Sequence, residues 1–172
     1  MTTATERSGS PIRAADTMRL DAPAIAVWQV LTDFAAYPRW YPRRVGMSVV
    51  HVAPDGIGTE LRLRPLGGRS FHCRVETLDQ PHQIRVRYHG DFIAGTGEWL
   101  LEPERAHTRV TYRVDVVAHG LLATVLGRVI DLVSVHSNQM RAVMRDLGAE
   151  VRRRAVSTAG PGRHSSSRSV HP

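Results

Sequence analysis

Apolar residues recur along the chain with two periods, and the order of those periods predicts the fold. Ile12 to Leu20 suits a first strand. Asp21 then precedes Ala22-Pro23, which predicts a helix start with Asp21 as N-cap and Pro23 in the first turn. Ile25, Val27, Trp28, Val30 and Leu31 return at helical spacing, so a short helix follows. Pro38 and Pro42 interrupt the next stretch. Residues 33–42 are therefore expected to form a second short helix or tight loop carrying Phe34, Tyr37, Trp40 and Tyr41.

From residue 45 the period becomes two. Val45 to Val52 is one predicted strand, and Asp55-Gly56 supplies the positive φ of a tight turn. Leu61 and Leu63 alternate with Glu60, Arg62 and Arg64, and Gly67-Gly68 makes the next turn. Phe71, Cys73 and Val75 alternate with His72, Arg74 and Glu76, and Pro81 marks the next break. Ile84, Val86 and Tyr88 alternate with Arg85, Arg87 and His89. Trp99 and Leu101 alternate with Glu98 and Glu102, and Val110, Tyr112, Val114 and Val116 alternate with Arg109, Thr111, Arg113 and Asp115. Such alternation predicts an antiparallel sheet with one dry and one wet face. The outward arginines 62, 64, 85 and 87 read as a solvated sheet face.

The last segment returns to helical spacing. Leu122, Leu126, Val129, Val133, His136, Met140, Val143, Met144, Leu147 and Val151 fall on one helical face, while Arg141, Arg145, Glu150 and Arg152 fall mostly off it. Gly127 marks a kink. The expected fold class is α+β. A curved antiparallel sheet wraps a long C-terminal helix, with two short helical pieces after the first strand. The gap between such a sheet and its helix is a natural site for an apolar ligand.

Composition then trims the function classes. All 23 basic residues are Arg, so neither a Schiff-base lysine nor a phosphate-loop lysine exists. This usage fits a GC-rich bacterial genome, such as an actinobacterial one. Of the net charge of +7, Arg152, Arg153, Arg154, Arg163 and Arg168 supply most, and residues 151–172 hold no acid. Residues 1–11 read as a loose arm, residues 12–154 as the folded domain, and residues 155–172 as a disordered basic Ser/Arg-rich tail. Without interleaved aromatics the tail reads as solvated rather than as a specific nucleic-acid binder.

Cys73 is the lone cysteine, which fits a reducing compartment. No apolar h-region opens the chain, and Arg128 and Asp131 break its most apolar stretch. No signal peptide or transmembrane segment is expected, and a cytoplasmic location is.

The candidate chemistry sits on the dry face. His136 lies mid-stripe on the apolar side of the last helix, where it can exchange a proton or hold a ligand oxygen; a core His bonded to backbone or to Tyr is the competing reading. Tyr88 and Tyr112 face inward, suited to orienting a carbonyl or phenol or simply to packing. Phe71, Trp99, Leu101, Val133 and Met140 are the candidate ligand-binding wall. No metal-ligand spacing, dinucleotide loop or nucleophile elbow occurs, so neither cofactor nor metal is expected.

Several segments together resemble a known superfamily. Asp21-Ala22-Pro23-Ala24, the run from Val27 to Phe34 and Tyr37-Pro38-Arg39-Trp40-Tyr41-Pro42 resemble the START or Bet v 1-like helix-grip proteins, also called polyketide cyclase/dehydrase-like. Gly95 to Pro103 followed by His107 to Tyr112 is similar to the family's Trp-bearing strand, Pro, short turn and Thr-bearing strand. His136 and Met140 resemble the His and Met of a subgroup that has Asn-His-Asp there, with Val135 and Ser137 standing for the Asn and Asp. The resemblance implies an internal apolar cavity, and relatives that include lipid and quinone carriers, aromatic polyketide cyclases and ribosome-associated proteins. Three functions follow. One is binding of a hydrophobic or aromatic small molecule. Another is polyketide cyclisation and dehydration with catalytic His136, Tyr88 and Tyr112. The third is association with a ribosome or other macromolecule.

Overall fold

The computed structural model describes residues 10–65, 68–119 and 132–159. Seven strands form one antiparallel sheet: β1 (Ser10–Leu20), β2 (Met47–His51), β3 (Glu60–Leu63), β4 (Phe71–Asp79), β5 (Gln83–His89), β6 (Ile93–Glu104) and β7 (His107–Ala118). Their spatial order is β1-β7-β6-β5-β4-β3-β2. β2 to β7 thus form a meander, and β1 returns to pair with β7 along its whole length, from Ser10 opposite Ala118 to Leu20 opposite Thr108. Register shifts near Val49 and Val75 interrupt the β2–β3 and β4–β5 ladders, and such bulges bend a sheet.

Two short helices follow β1, α1 (Ala24–Thr32) and α2 (Tyr37–Trp40), and one long helix, α3 (Leu132–Ala159), comes last. The predicted order of elements is the observed one, and the architecture is the helix-grip fold. The first strand begins two residues before Ile12, and α3 continues past Arg154. The segment from Leu122 to Val129, including the kink expected at Gly127, lies outside the described residues.

Alternation became burial. Phe71, Cys73, Val75, Ile84, Val86, Val110, Tyr112, Val114 and Val116 are buried from the sheet. Val27, Val30 and Leu31 are buried from α1, and Met140, Val143, Met144, Leu147 and Val151 from α3. One apolar core therefore fills the space between the sheet and the helices.

One local expectation is corrected. The N-cap of α1 is Pro23, not Asp21. Asp21 sits two residues too early to reach the first-turn N–H groups, and its Oδ1 lies 2.8 Å from His107 Nδ1 instead. Glu150, off the apolar stripe, is nonetheless only 5% exposed. Arg153 and Arg154 each donate to it, and Arg154 also donates to Asp33 Oδ2 at 2.8 Å. That bridge fastens α3 to the C-terminal end of α1.

Candidate functional site

The interior is hollow at one end. A cavity of about 90 Å³ lies between β1, β5, β7 and α3, with Ile12, Phe71, Tyr88, Val114, Val116, His136, Gln139 and Met140 in its wall. A second gap of about 30 Å³ adjoins it, lined by Trp99 and Tyr112 among others. Both share Tyr41, Leu63 and Tyr88 in their walls. The hollow traces to β6. Its inward positions run Gly95, Gly97, Trp99, Leu101, small at one end and large at the other. Gly95 stands between Tyr88 of β5 and Val116 of β7, both in the cavity wall.

Gly97 has a second role. A Cβ there would lie 2.1 Å from the Tyr112 hydroxyl and 2.9 Å from the Tyr88 ring. Its missing side chain is the space into which two tyrosines, from strands on either side of β6, reach to hydrogen-bond hydroxyl to hydroxyl. Trp99 packs on Tyr112 with ring centroids 4.6 Å apart, and Phe71 meets Tyr88 edge-on at 5.6 Å. Burial pushes both hydroxyls well above the usual tyrosine range, and each remains a neutral donor. Burial likewise raises Tyr37 and Tyr41, and pushes the Cys73 thiol up to about 12, which leaves it unreactive.

His136 approaches this pair from α3, its ring centroid 6.2 Å from that of Tyr112. Its Nε2 is buried with no hydrogen-bond partner among the described residues. Burial holds the imidazole below its usual pKa, partly opposed by the Asp16 carboxylate. Asp16 itself accepts from Ser137 Oγ at 3.1 Å, which anchors the first turns of α3 to β1. A neutral imidazole with a free nitrogen, next to two neutral phenols, can accept a proton or bind a ligand donor.

The structure thus brings together His136, Tyr88 and Tyr112, with Phe71 and Met140 in the same cavity wall and Trp99 in the adjoining one. Leu101 and Val133 lie elsewhere. Leu101 is 2% exposed, opposite Val110 in the filled part of the core. Val133 is 39% exposed in the first turn of α3, ahead of the residues from which that helix supplies wall. Trp40 is buried among Tyr37 and Tyr41. Among the wall residues not anticipated are Gln139 and Ile12. Gln139 directly precedes Met140, and a polar residue bordering the apolar stripe was the available signal. Among the described residues no trio of His, Cys, Asp or Glu converges as a metal site, and no helix is long and apolar enough to cross a membrane.

A cupped antiparallel sheet gripping one long helix, hollow where tyrosines and a histidine meet, defines a helix-grip protein. The chain belongs to the family described as polyketide cyclase/dehydrase and lipid transport, which matches residues 11–156. No curated protein matches it in sequence. Among solved structures it is similar to the Zhui aromatase/cyclase of a Streptomyces species, with TM-score 0.67 and 19% identity over 88% of this chain and 100% of that one. A norcoclaurine synthase from Thalictrum flavum aligns with TM-score 0.66 and 12% identity, covering 86% of this chain and 98% of that one. A START superfamily protein from Mycobacterium smegmatis aligns with TM-score 0.62 and 20% identity, covering 82% and 97%. At these identities the likeness is one of fold. The family match supports a ligand-binding or cyclase role.

Proposed function

We propose that the chain binds a hydrophobic or aromatic small molecule between the sheet and α3, with the apolar body against Phe71, Val116 and Met140 and its oxygens toward Tyr88, Tyr112 and His136. The observation that carries this reading is the unpartnered His136 Nε2 buried in the wall of a largely apolar hollow. Buried polar atoms are normally satisfied, and a ligand oxygen or hydroxyl would satisfy this one. Burying roughly 300 Å² of apolar ligand surface gives on the order of 7 kcal/mol gross at about 25 cal/mol/Å². Association entropy takes back much of that, so micromolar affinity is expected.

The cavity of about 90 Å³ is smaller than the roughly 300–1,000 Å³ of sites for drug-sized ligands. Binding therefore moves wall side chains. Met140, the flexible one, is the first to yield, and Tyr88 is the partition whose displacement joins the two gaps. Native mass spectrometry of protein purified from its own host tests the reading. The expected result is a co-purified small molecule that is lost from Met140→Trp protein, which fills the hollow. Retention of the same molecule by a folded Met140→Trp protein places it elsewhere and overturns the proposal.

The lowered pKa of His136 favours a second reading, polyketide cyclisation and dehydration. Neutral His136 would take a proton from a methylene between two carbonyls. The carbanion would attack a carbonyl carbon of the same chain, and the alkoxide formed would be protonated by a cavity tyrosine. The tyrosinate would then take the remaining proton of the former methylene, and hydroxide would leave as the double bond forms, protonated to water by the imidazolium, so that His136 and the tyrosine both return to their neutral forms. The hollow would contribute by holding one folded conformer. Full turnover by His136→Ala, Tyr88→Phe and Tyr112→Phe alike would remove these assignments.

A further inference from the structure

The arginines on the outer side of the sheet are of two kinds. Arg13, Arg85, Arg87, Arg109 and Arg113 each face a carboxylate across the strands. Arg43, Arg62, Arg64 and Arg69 instead surround one open groove of about 880 Å³ beside the β3 end. Asp91 is the one carboxylate lining it among the described residues, and it reaches Arg69 at 3.5 Å with 90% of its side chain exposed. A pair so wet is screened and neutralises little.

The chain holds these guanidinium groups in place without consuming them. Arg62 donates from Nε to Ser48 Oγ at 3.4 Å, and Arg64 donates from Nε to the Gly68 carbonyl at 2.9 Å. Among the described residues the terminal nitrogens of both make no hydrogen bond. Arg69 rests over the Phe92 ring, 5.3 Å from its centroid. Gly46, at φ +60, draws Arg43 in. A Cβ on it would lie 2.7 Å from the Arg64 carbonyl oxygen, while Arg64 N donates to Gly46 O at 3.0 Å. That approach ties the turn 43–45 to the end of β3, so Arg43 and Arg64 meet at one groove.

We propose that this groove binds a phosphate monoester. Converging guanidinium forks with the Ser48 and Ser70 hydroxyls match a dianion with several acceptor oxygens better than they match a single carboxylate. Among the described residues no aromatic side chain lines the groove, so the phosphate itself, rather than a stacked nucleobase, is what is read. The phosphate can be free or can be a lipid headgroup, and the test separates these. The proposal does not depend on what occupies the hollow inside.

Full-length protein is titrated with inorganic phosphate, followed by phosphorus NMR, and with phosphatidylcholine vesicles that contain or lack phosphatidic acid. The expected result is saturable binding that the double variant Arg43→Gln/Arg64→Gln weakens by about tenfold or more, and that rising salt also weakens. The tail variant Arg163→Gln/Arg168→Gln should bind as the parent does. Response to phosphate but not to vesicles assigns a free phosphate compound, and a response to phosphatidic acid vesicles assigns the headgroup. Failure of both probes to bind, or unchanged affinity in a folded groove variant, overturns the proposal.

Discussion

The two ends of the interior share one sheet and one helix, yet one is filled and the other is not. At the filled end Leu31, Leu101, Val110 and Leu147 are essentially inaccessible. Thr108 Oγ1 there donates to the Ala22 carbonyl at 2.7 Å. At the hollow end the sheet supplies Gly95 and Gly97 where the filled end has Leu101, and His136 keeps an unpartnered nitrogen in the cavity wall. Close packing serves stability. Space beside an unsatisfied group is what a ligand would complete.

The largest effect is expected where the filling is tightest. Leu147→Ala should cost about 2–5 kcal/mol in urea denaturation, because the walls cannot collapse onto the lost volume. Met140→Ala should cost clearly less, since it enlarges a space that already exists. Equal losses at the two positions would erase the distinction between the ends.

Gly97→Ala probes how the hollow end is held. Its Cβ would collide with the Tyr112 hydroxyl, so the tyrosine pair must separate or the strands must shift. The expected cost is about 1–3 kcal/mol, and the Tyr88 and Tyr112 ring resonances should move in NMR spectra. Unchanged resonances would mean that the pair does not occupy that space.

Glu150→Gln tests the polar tie at the filled end. Burial pushes the Glu150 pKa up, but the hydrogen bonds and charges of Arg153 and Arg154 outweigh it, and the net shift is down from 4.5. A carboxylate with a depressed folded pKa contributes stability above its unfolded pKa, and that contribution is lost as pH falls through the folded value. The variant should lose about 1–2 kcal/mol at neutral pH and show a shallower acid limb below about pH 4.5. Parallel acid limbs would show that another carboxylate controls acid unfolding.

How far these differences can be read from sequence follows from their range along the chain. Strand alternation and the Met140 to Val151 stripe are local, and a sheet wet on one face prints them directly. The hollow is not local. It depends on Tyr88 and Tyr112 meeting above Gly97, three residues from three strands. Glu150 falls off the apolar stripe in sequence, and the tie it makes through Arg154 to Asp33 joins residues 121 positions apart. The arginines 62, 64, 85 and 87 share one alternation, yet only the last two meet carboxylates from neighbouring strands.

The smallest effect is confined to a pH window and concerns His136. Burial keeps its folded pKa below 6.5, with Asp16 partly opposing. As pH falls through 6.5, the unfolded chain takes up this proton first. The unfolded state then binds more protons than the folded one, so stability declines until the folded imidazole is protonated too. The stability contributed by the neutral ring is thus present above 6.5 and lost below it. Every other titrating group also shapes the total curve. Subtracting the curve of His136→Gln isolates one residue, because the others are unchanged. The expected difference is a loss of stability in the parent on acidification that the variant lacks. A ligand accepted by His136 Nε2 should steepen this loss, since it binds the neutral folded form. A difference curve that is flat across the window would mean that His136 already has a partner in solution.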